Sequence, residues 1–211
     1  MNKKLLAIFL ISLILRLYLS SYPPLLWDEA SLGYNAYSIL KTGRDEYGKL
    51  LPLIFKSFGD YKPGLYVYLS APFIAILGLN QLAVRLPSIL LGSLTPIFLY
   101  LLITALNPKK KKLATISALL LAVTPFHIHF SRGAWETNIL TFQLVLASLT
   151  FTKYFNTKKP GDTVTLSIVR AEQEISVEVT LAPWPEVLPS DESQVSPFGD
   201  DFNFFERLFP E

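Results

Sequence analysis

The sequence predicts a mainly α-helical, polytopic membrane bundle that ends in a short β-hairpin and a disordered tail, and three observations carry that expectation. Apolar residues make up 51% of the 211 and charged residues 17%, and the apolar ones gather in blocks. Mean hydropathy is +0.37, which is high for an ordinary soluble domain. Lysines collect at some block ends and not at others. Beyond Lys158 the blocks give way to strict alternation of apolar and polar residues.

Taken in order, Met1-Asn2-Lys3-Lys4 and the apolar run behind it have the charge pattern of a signal peptide. Ser20-Ser21-Tyr22-Pro23 is a poor small-x-small cleavage site, however, and further apolar blocks follow. Residues 5–19 therefore read as an uncleaved first span, with others over 86–106, 113–126 and 139–154. The block over 65–79 is short: at about 1.5 Å per residue it falls below a hydrocarbon core of roughly 30 Å, and it reads as a re-entrant or interfacial helix. Charge supports the same arrangement. With 65–79 outside the count of crossings, Lys3, Lys4, Lys109 to Lys112, Lys153, Lys158 and Lys159 all fall on the cytoplasmic side, as the positive-inside rule requires. The chain is then a multi-pass cell-membrane protein with both termini cytoplasmic.

The net charge of +2 is the sum of unlike parts. Residues 1–156 hold 15 Lys/Arg and 6 Asp/Glu, and residues 157–211 hold 4 and 11. No basic patch with interleaved aromatics points to nucleic acid. The chain has no cysteine, which excludes disulfides and thiolate metal sites.

Two charged knots bracket the first external loop, which is read as residues 20–84. Trp27-Asp28-Glu29-Ala30 follows the first span, and Asp60-Tyr61-Lys62-Pro63-Gly64 precedes the short block. Carboxylates beside a membrane are costly to desolvate, so they serve chemistry or sit in a solvated loop. In this topology Asp28, Glu29, Asp60, Lys62, Arg85, Arg132 and Glu136 share the external face, as a site for a polar or phosphorylated substrate would. Alone, an Arg or Lys at a span end reads as snorkelling to the headgroups. Tyr34, Tyr37 and Tyr47 suit an interfacial aromatic belt as well as sugar stacking. His127 and His129 would share a face only on an extended segment, and with no third ligand nearby they read as headgroup-level polar residues.

The ordered motifs of the first 156 residues resemble the N-terminal part of the GT-C type polytopic glycosyltransferases, the group of protein mannosyltransferases and aminoarabinose transferase-like enzymes. Arg16 near the end of the first span leads to Trp27-Asp28-Glu29-Ala30. Asp60-Tyr61-Lys62-Pro63-Gly64-Leu65-Tyr66 is similar to the family's Lys-Pro-Pro-Leu-aromatic pattern, with Gly64 in place of the second proline. Ala83-Val84-Arg85-Leu86-Pro87-Ser88 and His127-Ile128-His129-Phe130-Ser131-Arg132 with Glu136 complete the set. The resemblance implies sugar transfer from a polyprenyl-phosphate carrier to an acceptor at the external face. It implies Asp28 as general base or metal-assisting carboxylate, with Glu29 as its substitute. Lys62, Arg85 and Arg132 would hold the carrier phosphate, with Asp60 and Glu136 in the same substrate site. A divalent metal is left open, and no ligand set for one is read from the sequence.

Residues 157–182 alternate: Val164, Leu166 and Ile168, then Ile175, Val177, Val179 and Leu181 after a turn over 171–174. The run from Lys159-Pro160-Gly161-Asp162 through Leu181 resembles the closing strands of the PDZ domains of Deg-type proteases, over residues 156–182. The family's carboxylate-binding loop and earlier strands are missing, so peptide binding is not expected. Residues 183–211, acidic and proline-rich, read as disordered with a short helix near 204–208. The alternative to a transferase, or a truncated fragment of one, is a non-catalytic chimeric membrane protein with a PDZ-derived tail, joined near residues 152–157 by fusion or misassembly.

The lysine distribution makes one direct prediction. Reporter fusions at Gln81 and Asn107 are expected to report opposite sides of the membrane, with Asn107 cytoplasmic; an external Asn107 would scatter the candidate residues over both faces.

Overall fold

The structure is a computed structural model that describes residues 3–18, 20, 22–170 and 173–182. The expected turn residues 171 and 172, the tail over 183–211 and its short helix lie outside the described residues. The chain divides into two compact units, Met1–Asn156 and Thr157–Glu211.

In the first unit the helices are α1 (Lys3–Leu17), α2 (Trp27–Thr42), α3 (Leu65–Leu77), α4 (Gln81–Leu106), α5 (Lys111–Val123), α6 (Pro125–Arg132) and α7 (Glu136–Asn156), with a hairpin of β1 (Ile54–Ser57) and β2 (Asp60–Pro63) ahead of α3. The spine is α4, against which α1, α3, α5, α6 and α7 all pack. Small residues make the close approaches possible. Ala114, Ala118 and Ala122 form a fully buried stripe along α5, the spacing by which helices come together without large side chains. Ala118 and Ala122 join Ile8 of α1 and Ile97 of α4 in one apolar cluster. A second cluster joins Leu32 and Ala36 of α2, Phe55 of β1, Tyr66 and Val67 of α3, and Val84 of α4.

The expectation of four full spans is changed. Among the described residues α4 is the one helix long and apolar enough to cross a membrane; its 26 residues reach about 39 Å at about 1.5 Å each. The block expected over 113–126 is broken: α5 and α6 make a second span only as a pair bent by 56°. Pro125 is the cause, since it lacks an N–H and drives Thr124 into the extended region, where its ψ is 121°. Helix α1 has 15 residues. Helix α7 has 21 residues but opens with Glu136, Thr137, Asn138 and Thr141, which lower its apolar character. The short block forms α3, 13 residues long with Pro72 inside it.

The stretch read as an external loop over 20–84, with the short helical block inside it, holds α2, the β1–β2 hairpin and α3, and the start of α2 has an evident local cause. Asp28 and Glu29 occupy the first turn of α2 and Lys41 its last turn, the arrangement that the helix dipole favours. The Leu26 N–H donates to Glu29 Oε2 at 3.0 Å, satisfying a donor at the helix start. In the hairpin Phe55 pairs with Lys62 and Ser57 with Asp60. Its two turn residues, Phe58 and Gly59, have φ of 43° and 87°, the paired positive values that a tight two-residue turn demands. Phe58 rests 6.3 Å from the Trp27 ring, tying the hairpin tip to the start of α2.

Gly64 explains the departure from the Lys-Pro-Pro pattern. Its N–H donates to the Leu53 carbonyl at 2.8 Å, and a Cβ there would lie 2.9 Å from the Phe55 ring. Proline would remove the donor and crowd the ring.

In the second unit β3 (Thr163–Arg170) and β4 (Gln173–Thr180) form an antiparallel hairpin. Val164 faces Val179, Leu166 faces Val177 and Ile168 faces Ile175, the apolar pairs that the alternation predicts.

Gly64→Pro is expected to cost about 1–3 kcal/mol through the orphaned Leu53 carbonyl and the displaced ring. A lowered midpoint of thermal unfolding in detergent would register it, and an unchanged midpoint would show that the contact carries no weight.

Candidate functional site

The N-terminal ends of α2, α4 and α7 and the hairpin strand β2 bring the charged motifs to one end of the bundle. The innermost feature is an ion pair. Glu29 is 1% exposed and Arg85 4%. Arg85 Nε donates to Glu29 Oε1 at 2.8 Å and Nη2 to Oε2 at 2.6 Å. Burying two charges is expensive unless their remaining hydrogen-bond capacity is filled, and here it is. Glu29 Oε1 also accepts from the Ala134 N–H at 2.7 Å, and Oε2 from the Leu26 N–H. Arg85 Nη1 donates to the carbonyls of Ser20 at 2.7 Å and Pro23 at 3.0 Å. Burial pushes the Glu29 carboxyl up, but the bonds from Arg85, Ala134 and Leu26 together outweigh it and hold the group below its ordinary value.

One residue earlier on the helix, Asp28 is turned about 100° away, toward the hairpin. Its Oδ1 lies 3.0 Å from Lys62 Nζ, and the two side chains are 38% and 13% exposed. Burial opposes the Lys62 charge, but the hydrogen bond to Asp28 and the nearby charges of Asp28, Glu136 and Asp60 outweigh it and raise the ammonium above its ordinary value. Glu136, half-buried in the first turn of α7, and Asp60, exposed on β2, thus belong to the field around Lys62. Glu136 also borders an apolar pocket of about 290 Å³ beside Pro63, Tyr66 and Ile139.

Arg132 lies elsewhere. It borders a cleft of about 260 Å³ with Leu26, His129 and Trp135, against which Glu29 and Arg85 also stand. The seven expected residues therefore fall into three groups: Asp28 and Lys62 with Asp60 and Glu136 around them, the Glu29–Arg85 pair, and Arg132 across the cleft. Tyr34, Tyr37 and Tyr47 are exposed. Among the described residues no three His, Cys, Asp or Glu side chains converge, so the metal-assisted alternative for Asp28 finds no ligand set among them.

Sequence reasoning missed a second polar hub. Arg16 is fully buried and does not snorkel. Its guanidinium donates to Ser131 Oγ at 2.7 Å, Ser12 Oγ at 2.6 Å and the Ala122 carbonyl at 3.2 Å, and it meets His127 Nδ1 at 2.5 Å. His127 and His129 lie on a helix, so a spacing of two puts them on different sides. His127 is buried against Arg16, a correction to the headgroup-level reading, while His129 borders the cleft. The four-residue spacings Ser12 to Arg16 and His127 to Ser131 were the available signal. Asn138 forms a further tie, donating to the Ser88 carbonyl at 2.8 Å and joining α7 to α4.

The family described as dolichyl-phosphate-mannose-protein mannosyltransferase matches residues 6–166. The match runs past Asn156 into β3. No curated protein matches the chain, and no solved structure does.

The buried pair predicts asymmetric mutational behaviour. Glu29→Leu or Arg85→Met alone is expected to cost about 3–5 kcal/mol, because each strands a buried charge, and the double variant less than the sum. Since the Glu29 carboxyl sits below its ordinary 4.5, its stabilisation is complete above that pH and is lost as pH falls through the folded-state value. Unfolding midpoints measured from pH 7 to pH 3 would show a fall that the double variant lacks.

Proposed function

The chain belongs to the dolichyl-phosphate-mannose-protein mannosyltransferase family, and from that premise we propose that Asp28 and Lys62 are the reacting pair of a sugar transfer from a polyprenyl-phosphate carrier. At the family level the chain is a membrane glycosyltransferase of the GT-C type. The observation that carries the finer reading is the contrast between its two ion pairs. Glu29 has its acceptor positions filled by four donors, whereas Asp28 makes one ion pair and is 38% exposed.

In the proposed step the carboxylate of Asp28 takes the proton of the acceptor hydroxyl as its oxygen bonds to the anomeric carbon of the sugar. The bond from that carbon to the carrier phosphate oxygen breaks, and its electron pair leaves with the phosphate. Lys62 stabilises that growing negative charge. Engagement of Lys62 by the carrier phosphate loosens its hold on Asp28, so donor binding readies the base. Arg132, at the rim of the cleft, supplies a second positive charge to the carrier phosphate. Asp60 and Glu136 keep the Lys62 ammonium charged and oriented.

Glu29 and Arg85 take a positioning role in this reading, in place of the base and phosphate-binding roles that the resemblance implied. A carboxylate with no open acceptor site is poorly placed to receive a proton, and a guanidinium committed to Glu29 and backbone carbonyls is poorly placed to grip a phosphate. The same proposal puts the site at the external face of a multi-pass bundle with both termini cytoplasmic, consistent with the lysine distribution. It takes residues 1–156 as the transferase region and 157–182 as an appended hairpin.

Asp28→Asn is expected to lower transfer from polyprenyl-phosphate-mannose by about 10²–10⁴-fold with membrane insertion unchanged. Rates of the full chain reconstituted in vesicles would test it. A near wild-type rate would remove Asp28 as the base.

A further inference from the structure

The opposite end of the bundle holds a second charged cavity that takes no part in the proposed transfer. Helix α1 runs antiparallel to α4: the Arg16 guanidinium lies beside Gly92, while Lys4 and Leu5 lie beside Tyr100. From Arg85 to Tyr100 the rise along α4 is about 22 Å, so this end sits most of a hydrocarbon thickness away from the Glu29–Arg85 pair. There α1, α4 and α5 leave a cleft of about 350 Å³ between them, bordered by Lys4, Lys111 and Lys112 with the hydroxyl-bearing Tyr100 and Thr115. Leu5 and Ile116 form its apolar wall.

We propose that this cleft binds the headgroup of an anionic membrane phospholipid. Charge complementarity argues for the occupant. Lys3, Lys109 and Lys110 add to the three lysines of the cleft, and neither α1, α4, α5 nor the link over 107–110 contains an Asp or Glu. The lysines are also held at an unfavourable place for their own helix. Lys111 and Lys112 stand in the first turn of α5, a turn that contains no acid, where the helix dipole disfavours positive charge. The link that presents them is shaped rather than slack: the Asn107 side chain accepts from the Lys109 N–H at 3.0 Å, and its carbonyl from the Lys110 N–H at 3.0 Å.

Position selects a lipid over a soluble anion. The cleft lies toward the far end of α4, the helix with the length and apolarity to cross the bilayer, which brings it to headgroup depth. Basic pockets between membrane helices at that depth take phosphate-bearing headgroups. Leu5 and Ile116 then meet the first carbons of the acyl chains while the lysines and the Tyr100 hydroxyl meet the phosphate. The mixed lining, lysines and hydroxyl-bearing residues together with Leu5 and Ile116, matches an amphipathic ligand.

The test uses the full chain in a neutral detergent, with phosphatidylglycerol or phosphatidylcholine added and retained lipid counted by native mass spectrometry. Phosphatidylglycerol is expected to be retained at least tenfold better than phosphatidylcholine. K4Q/K111Q/K112Q is expected to abolish the preference, while K3Q/K109Q/K110Q, with the same loss of charge outside the cleft, keeps most of it. Ile116→Trp fills the cleft without changing its charge and is expected to reduce retention, which keeps the test decisive if the triple variant does not fold. Equal retention of the two lipids, equal loss in the two triple variants, or displacement by millimolar inorganic phosphate would overturn the assignment. None of these readouts depends on sugar transfer.

Discussion

The buried ion pair between Glu29 and Arg85 is the constraint on which the rest of the site depends. It gathers the start of α2, the second turn of α4, the segment that holds Ser20 and Pro23, and the backbone at Ala134 around two oppositely charged groups. A single buried carboxylate or guanidinium would be untenable there, and the two together are stable only because every donor and acceptor finds a partner. The consequence for its neighbour is geometric. With Glu29 pointed into the bundle, a helix must turn Asp28 aside, and the aside direction is the hairpin that carries Lys62.

A second polar hub repeats the logic deeper in the bundle. Arg16 is held by hydroxyls, two backbone carbonyls and the His127 ring. These bonds run from α1 to α5 and α6, and they brace the point where Pro125 bends the chain. A kink in an apolar environment must have its loosened polar groups answered by neighbours. Gly92, which leaves room for Ser131 and Arg16 against α4, lets them come close enough.

The two ends of the bundle differ in kind. One end mixes carboxylates with Arg and Lys in matched pairs, so its field is local and directional. The other gathers lysines on α1 and α5, helices whose own sequences contain no acid. Matched pairs suit a site where charge must be placed against a reacting group, and an unbalanced patch suits attraction to an anionic surface. Helix α4 keeps these two environments apart.

The sequence by itself determined what depends on local pattern. The apolar blocks mark α1, α3, α4 and most of α7, and the alternation beyond Lys158 marks the paired strands β3 and β4. The motifs that resemble the GT-C enzymes also marked the charged residues that meet at one bundle end. Helix α2 was legible too, in the first-turn acids and Lys41, but the nearby tyrosines and charges suggested a loop. Which charge answers which was decided only in three dimensions. Asp28 and Glu29 are adjacent and chemically alike, yet one takes Lys62 and stays open while the other takes Arg85 and is sealed. Arg16 and Ser131 are 115 residues apart and Glu29 and Arg85 56, and such partners meet according to which helix faces touch. Periodicity reports the face a residue occupies, but not the neighbour that covers it.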